Sequence, residues 1–342
     1  MRADWKYKTW ADVLTIINGK NQSAVESANG EFPIYGSGGI MGYASEWLCP
    51  ENSVIIGRKG NINKPLFVTT KFWNVDTAFG LCAKEELLLP KYLFYFCKDY
   101  NFERHNRAVT IPSLTKADLL KISILVPPIS VQQSIVSELD KINELIGLKV
   151  SQLTELENLS QSIFFNMFGD PLTNEKKWMI KNWSDVLTII NGKNQKAVEC
   201  SNGDYPIYGS GGIMSYANDW LCPADSIVIG RKGNINKPLF VHTKFWNVDT
   251  AFGLNAKREI LTPTYLYYFC LNYNFERHNK AVTIPSLTKA DLLKISIPIP
   301  PLPLQDIFVT RISAIEQQKQ QINLSINDLE TLLASRMQHW FN

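Results

Sequence analysis

The chain is 342 residues long, 45% hydrophobic, 20% charged and 11% aromatic, with a net charge of +3. This is the composition of an ordinary folded protein and excludes a disordered or fibrous one. No run of 18 or more apolar residues occurs, and Met1-Arg2-Ala3-Asp4-Trp5-Lys6 lacks the apolar core of a signal peptide, so a soluble cytoplasmic protein without membrane contact is expected.

Residues 5 to 169 and 178 to 342 are two copies of one sequence in gapless register, offset by 173. A period this long excludes short-unit solenoids and predicts two whole domains, each burying its own core. The charge follows the repeat: residues 1–128 and 173–301 are basic blocks, and residues 129–172 and 302–342 are acidic. These boundaries predict domain 1 over 1–128, a first helix over 129–172, domain 2 over 173–301 and a second helix over 302–342.

Within domain 1, short runs rich in Val, Ile, Phe and Tyr read as strands, among them Ser53-Val54-Ile55-Ile56-Gly57 and Pro65-Leu66-Phe67-Val68-Thr69, punctuated by Asn-Gly and Gly-Gly turns. Pro90 to Cys97 reads as a helix with proline in its first turn, and Ser113 to Leu120 as a helix capped by Ser113. Each domain is therefore expected to be α+β. After Pro127-Pro128 and Pro300-Pro301 the pattern turns helical for about forty residues. Leu139, Ile142, Ile146, Leu153, Leu156 and Ile163, and in the second copy Ile312, Ile315, Ile322, Ile326, Leu329 and Leu333, form a seam at coiled-coil spacing. The short connection from Asp170 to Trp178 requires the second helix to return antiparallel, which predicts two domains at opposite ends of a two-helix rod. A helix that packs only on its own domain is the alternative.

Catalytic signatures are missing. The six cysteines form no CxxC pair and read as reduced thiols, and the four histidines suggest no metal site. Gly36-Ser37-Gly38-Gly39-Ile40-Met41-Gly42 has the wrong spacing for a dinucleotide loop. Gly57-Arg58-Lys59-Gly60 has the GXXG form of a KH clamp but follows a strand, although a basic loop between glycines suits a phosphate. No cofactor is expected.

What stands out is a set of polar and basic residues interleaved with aromatics on turn-rich segments. In the first copy these are Lys20, Asn21, Gln22, Tyr35, Ser37, Arg58, Lys59, Asn61, Asn63, Lys64, Asn74, Arg104, His105, Asn106 and Arg107. Their counterparts are Lys193, Asn194, Gln195, Tyr208, Ser210, Arg231, Lys232, Asn234, Asn236, Lys237, Asn247, Arg277, His278, Asn279 and Lys280. Lys and Arg neutralise phosphates, while Arg, Asn and Gln make bidentate contacts to purine edges, so double-stranded DNA is the expected partner. Asp76 and Asp249 read instead as turn caps.

The order domain, long helix, domain, long helix resembles the specificity (S) subunits of type I restriction-modification systems. The resemblance is carried by Tyr35-Gly36-Ser37-Gly38-Gly39-Ile40-Met41-Gly42-Tyr43, by the loop from Ile56 to Gly60, by Ile122 to Pro128 followed by Gln132-Gln133, and by Phe164 to Pro171. It implies that each α+β domain is a target-recognition domain reading one half of a bipartite DNA site. It also implies a non-catalytic chain whose helices form a spacer on which two adenine-methyltransferase subunits dock, with restriction subunits joining later. Members of that family usually carry two dissimilar recognition domains, whereas these are nearly the same, so an interrupted-palindromic target is expected. Two other classes compete. A single-chain nuclease or methyltransferase would need clustered carboxylates or a cofactor loop, and its candidate, Asp225, is Asn52 in the first copy. A tandem ligand-binding or structural protein would have no affinity for DNA.

Overall fold

The computed structural model describes residues 5–106, 111–279 and 285–341. The chain divides into two packed units, Met1–Val150 with Asn323–Asn342, and Ser151–Ile322. Both are α+β, and none of the described helices is long and apolar enough to cross a membrane.

Unit 1 begins with β1 (Lys6–Thr9), the single-turn α1 (Trp10–Val13) and β2 (Leu14–Asn18). Then come β3 (Phe32–Gly36), β4 (Gly39–Ala44), β5 (Ser53–Gly57), β6 (Leu66–Val68), β7 (Trp73–Asn74) and β8 (Ala78–Ala83). The domain closes with α2 (Pro90–Asp99), a 3-10 turn at Phe102–His105, α3 (Lys116–Leu119) and β9 (Ser123–Val126). The forty-residue α4 follows at Ile129–Phe168.

β5 is buried along its whole length because it lies inside the sheet β2-β8-β5-β6, where the branched side chains of Val54, Ile55 and Ile56 pack on both faces. A second sheet, β4-β3-β7, has β4 at its edge, where Glu26 bridges the far end of the strand at Ala44. The α3 cap differs from the expected one. Thr115, not Ser113, accepts the bond from the Asp118 amide (3.2 Å). Ser113 is held outside the helix, in a bridge to Lys59, with its own amide bonded to Asn106 Oδ1 (3.0 Å).

Unit 2 repeats the order. β10 (Met179–Asn182), α5 (Trp183–Val186), β11 (Leu187–Asn191), β12 (Tyr205–Gly209), β13 (Gly212–Ala217) and β14 (Ser226–Gly230) lead. β15 (Leu239–Val241), β16 (Trp246–Asn247), β17 (Ala251–Ala256), α6 (Pro263–Asn272), α7 (Lys289–Leu292), β18 (Ser296–Ile299) and α8 (Leu302–Phe341) complete it. Its sheets are ordered β11-β17-β14-β15 and β13-β12-β16, matching unit 1.

Each long helix contributes to both units: α4 gives its first half to unit 1 and its second to unit 2, and α8 does the reverse. In unit 1, Leu139 and Ile142 of α4 share one buried cluster with Leu333 of α8 and with Tyr92, Leu93 and Ile124 of the domain. Glu138 accepts hydrogen bonds from Trp340 Nε1 and Arg336 Nη2, both at 3.1 Å, so the start of α4 runs beside the end of α8, antiparallel. In unit 2, Phe164 of α4 packs on Phe308 of α8 (ring centroids 5.8 Å) and on Tyr265 of the domain (5.6 Å). Helix pairing and packing on a globular domain, set against each other above, therefore occur together. About eleven turns of helix give each long helix enough faces for both.

The start of α4 is pinned by a buried polar side chain. Gln132 accepts from the Leu89 amide (2.8 Å) and donates to the carbonyls of Leu87 (2.9 Å) and Pro127 (2.8 Å). Gln305 makes the equivalent bonds to Thr262, Ile260 and Pro300 in unit 2. All six cysteines are free thiols, with Cys82 and Cys200 half-buried and the other four buried.

Candidate nucleic-acid interface

The candidate residues of unit 1 gather around the loop that leaves β5. Gly57 permits this loop: a Cβ there would lie 2.4 Å from the Asn61 carbonyl oxygen, so only glycine lets the chain fold back this closely. Gly60, at φ +78°, completes the reversal. The amides of Arg58 (2.8 Å) and Lys59 (3.2 Å) donate to the Thr77 carbonyl, joining the loop to the turn between β7 and β8. Gly60 N donates to Pro112 O (3.0 Å), which joins it to the segment before α3.

Three further segments are attached to this frame. Lys20 N donates to Asn74 O (3.0 Å), and Val75 N to Tyr35 O (2.9 Å). Asn63 accepts from the Phe102 amide (2.8 Å). The β3–β4 turn lies alongside: Ser37 Oγ is 3.9 Å from where a Cβ on Gly60 would stand, and Asn61 Nδ2 is 3.9 Å from that of Gly38. Lys20, Asn21, Lys59, Asn61, Lys64 and Arg104 are exposed on these segments. The half-buried Arg58 lies over the Phe79 ring (5.8 Å) and donates to the Asp76 carbonyl (3.4 Å).

Other candidates serve the frame itself. Asn74 is fully buried: it accepts from Cys49 Sγ (3.0 Å) and donates to the carbonyls of Ala78 (3.1 Å) and Ile17 (3.5 Å). Asn247 is bonded in the same way to Cys222, Ala251 and Ile190, so neither asparagine is open to a ligand, contrary to the expectation from sequence. Asn63 also donates to Asn101 Oδ1 (3.4 Å), and Asn236 makes the matching pair of bonds. Asn106 and Asn279 each bind the amide of the serine seven residues on, at 3.0 Å. His105 Nε2 shares a hydrogen bond with Tyr100 OH (2.7 Å), as His278 does with Tyr273 (2.6 Å). Asn21 and Asn194 close Asx turns onto the amides of residues 23 and 196. Gln22 and Gln195 are half-buried, and their carbonyls accept turn amides. Arg107 and Lys280 lie outside the described residues. The Asp76 and Asp249 caps are not formed: among the described residues these side chains take no hydrogen bond, and only their carbonyls are used, by Arg58 and Arg231.

Unit 2 reproduces the frame around Arg231, Lys232, Asn234 and Lys237, with Arg231 and Lys232 bonded to Thr250 O (2.8 and 3.2 Å) and Gly233 to Pro285 O (3.1 Å). Lys193 is bonded through its amide to Asn247 O, Tyr208 accepts from Val248 N, and Ser210 Oγ stands beside Gly233. Arg277 is exposed like Arg104. Tyr35 and Tyr208 are both raised above the ordinary tyrosine pKa, first by burial and second by the facing Tyr43 or Tyr216.

The two copies have diverged unevenly. Residues 18–22, 33–41, 57–68 and 70–81 are identical to their counterparts. Thr69, which falls between two of these runs, and Asn52 and Glu85 outside them are replaced by His242, Asp225 and Arg258, which meet at Asp225: Arg258 Nη2 to Asp225 Oδ2 at 2.8 Å and His242 Nδ1 to Asp225 Oδ1 at 3.1 Å. Burial opposes the Asp225 charge, but Arg258 and His242 outweigh it and hold its carboxyl below the ordinary value. Asp225 is thus an ion-pair residue, and no group of His, Cys, Asp and Glu that could hold a metal occurs among the described residues.

Known proteins are similar to this chain. A protein named as a type I restriction enzyme specificity subunit in Haemophilus influenzae is 30% identical over 148 residues, 41% of this chain and 37% of that protein. The MjaVIII specificity subunit of Methanocaldococcus jannaschii is 21% identical across 96% of this chain and 92% of its own length. The crystal structure of the type I restriction-modification S subunit from M. genitalium shares the fold with a TM-score of 0.65 at 15% identity, covering 99% of this chain and 96% of that one. The type I restriction modification DNA specificity domain is matched twice, over residues 2–158 and 175–330, and the chain belongs to that family.

Proposed function

We propose that this chain is the DNA-reading subunit of a type I restriction-modification complex and is not itself catalytic. Each recognition domain takes one half of a bipartite site through the loops around Arg58 and Arg231. Two adenine-methyltransferase subunits dock on α4 and α8, restriction subunits complete the complex, and it works in the cytoplasm. The observation that carries this reading is a basic loop frame kept identical in two copies that have diverged elsewhere. Near-identical readers imply near-identical half-sites, and readers each taking the opposite strand make the target an interrupted palindrome.

The cations of the frame act mainly on phosphates, so their loss shows in the salt dependence of binding. Replacement of Arg58, Lys59, Lys64, Arg231, Lys232 and Lys237 by alanine is expected to lower duplex affinity. It should also flatten the plot of log affinity against log salt by several units, since about one counterion is released per neutralised phosphate. Co-purification with the methyltransferase should be unchanged. A slope equal to that of the wild type would remove this loop from the interface.

A further inference from the structure

The edge strand β4 carries apolar side chains in full view of solvent: Ile40 is 55% and Met41 62% exposed, and in β13 Ile213 is 55% and Met214 61% exposed. Soluble proteins normally blunt such edges with charge or proline, because an apolar edge invites association. Here the side chains are kept in both copies, although Gly42 beside them has become Ser215 and Ser45 has become Asn218. They lie just past the β3–β4 turn, at the hairpin tip that stands against Gly60 and Asn61 of the basic loop. Met41 is laid back across the hairpin, its sulfur 2.6 Å from where a Cβ on Gly36 would be, and Met214 lies across Gly209 in the same way.

A two-stranded antiparallel ribbon fits the major groove of B-DNA, and the one apolar group displayed there is the 5-methyl of thymine. We infer that the β3–β4 and β12–β13 hairpins enter the major groove and that Ile40 and Met41, with Ile213 and Met214, read thymine methyl groups. The inference rests on the DNA-reading function proposed above. The adjoining cations of Arg58, Lys59 and Lys64 favour a polyanion over a protein as the occupant of this edge, since they meet the phosphates that flank the groove.

The test uses the chain purified with its methyltransferase and duplexes carrying the motif found by methylome sequencing, in which each thymidine is replaced in turn by deoxyuridine. Loss of one buried methyl is worth about fourfold in affinity. The wild-type complex should therefore lose about fourfold at one or more thymidines of each half-site. The Ile40→Ala, Met41→Ala, Ile213→Ala, Met214→Ala variant should bind more weakly and no longer distinguish thymidine from deoxyuridine. Indifference of the wild type to every replacement would overturn the inference, and this arm needs no variant to fold. A variant that still discriminates, or that loses its methyltransferase while reading DNA normally, would also overturn it, the latter result marking the edge as a protein-docking surface. Failure of the wild-type complex to bind any motif duplex would instead refute the DNA-reading function itself.

Discussion

At the level of single residues, exposure separates side chains that build the frame from those free to meet a ligand. Asn74 and Asn61 look alike in sequence, since both are polar residues on turn-rich segments. The difference lies in the partners: Asn74 is enclosed by Ala78 and by Cys49 and Ile17, which no local pattern connects to it, whereas Asn61 is exposed at the loop crest. Asn74→Ala leaves the Cys49 thiol without its acceptor and a cavity where the amide stood, so a loss of about 2 kcal/mol is expected. Asn61→Ala, at an exposed position, should stay within about 0.5 kcal/mol while weakening duplex binding. Denaturant unfolding and a binding titration on each variant check both. Equal stability of the two variants would show that the Asn74 bonds contribute nothing. The basic loop itself was legible in advance, because Gly57 and Gly60 bracket Arg58 and Lys59 and the whole run is repeated at Gly230 to Gly233.

Among the elements, the long strands and both forty-residue helices were readable because their apolar period is sustained and their ends are marked by proline or glycine. One-turn elements were read less well: α1 is too short for a period, and the helix expected over Ser113 to Leu120 shrinks to α3, its cap moved to Thr115 because Ser113 is claimed by a bridge to Lys59. The buried role of Gln132 was also hidden, since a polar residue in the first helical turn reads as exposed unless its partners at Leu87, Leu89 and Pro127 are known. The seam of unit 1 ends in a polar clasp, where Arg336 and Trp340 of α8 hold Glu138 of α4. The Arg336 bond, against a smaller opposing effect of burial and with help from Trp340, keeps the Glu138 carboxyl below its ordinary pKa. A carboxyl depressed in the folded state stabilises above its unfolded pKa, near 4.3, and that stabilisation is lost as the pH falls through the folded value. Both side chains are about one-third exposed, so the pair is worth about 1 kcal/mol or less. Glu138→Gln should lower the melting temperature by about 2–4 °C at pH 7. The gap between variant and wild type should narrow as the pH is lowered below about 4.3. A gap of unchanged size down the acid range would show that the glutamate charge is not what joins the helices.

For the molecule as a whole, the duplication is the main fact, and it was visible from sequence because the two copies align without a gap. What the alignment could not show is that the loop frame is identical while the changes at Asp225, His242 and Arg258 assemble into an ion-pair cluster of their own. The loop frame has therefore been held in both copies while other positions changed, as expected if both recognition domains read the same half-site. Methylome sequencing of cells carrying this chain with its methyltransferase measures this directly. An interrupted palindrome, with the same short sequence read on opposite strands either side of an unread spacer, is the predicted result, and two unrelated half-sites would contradict the account.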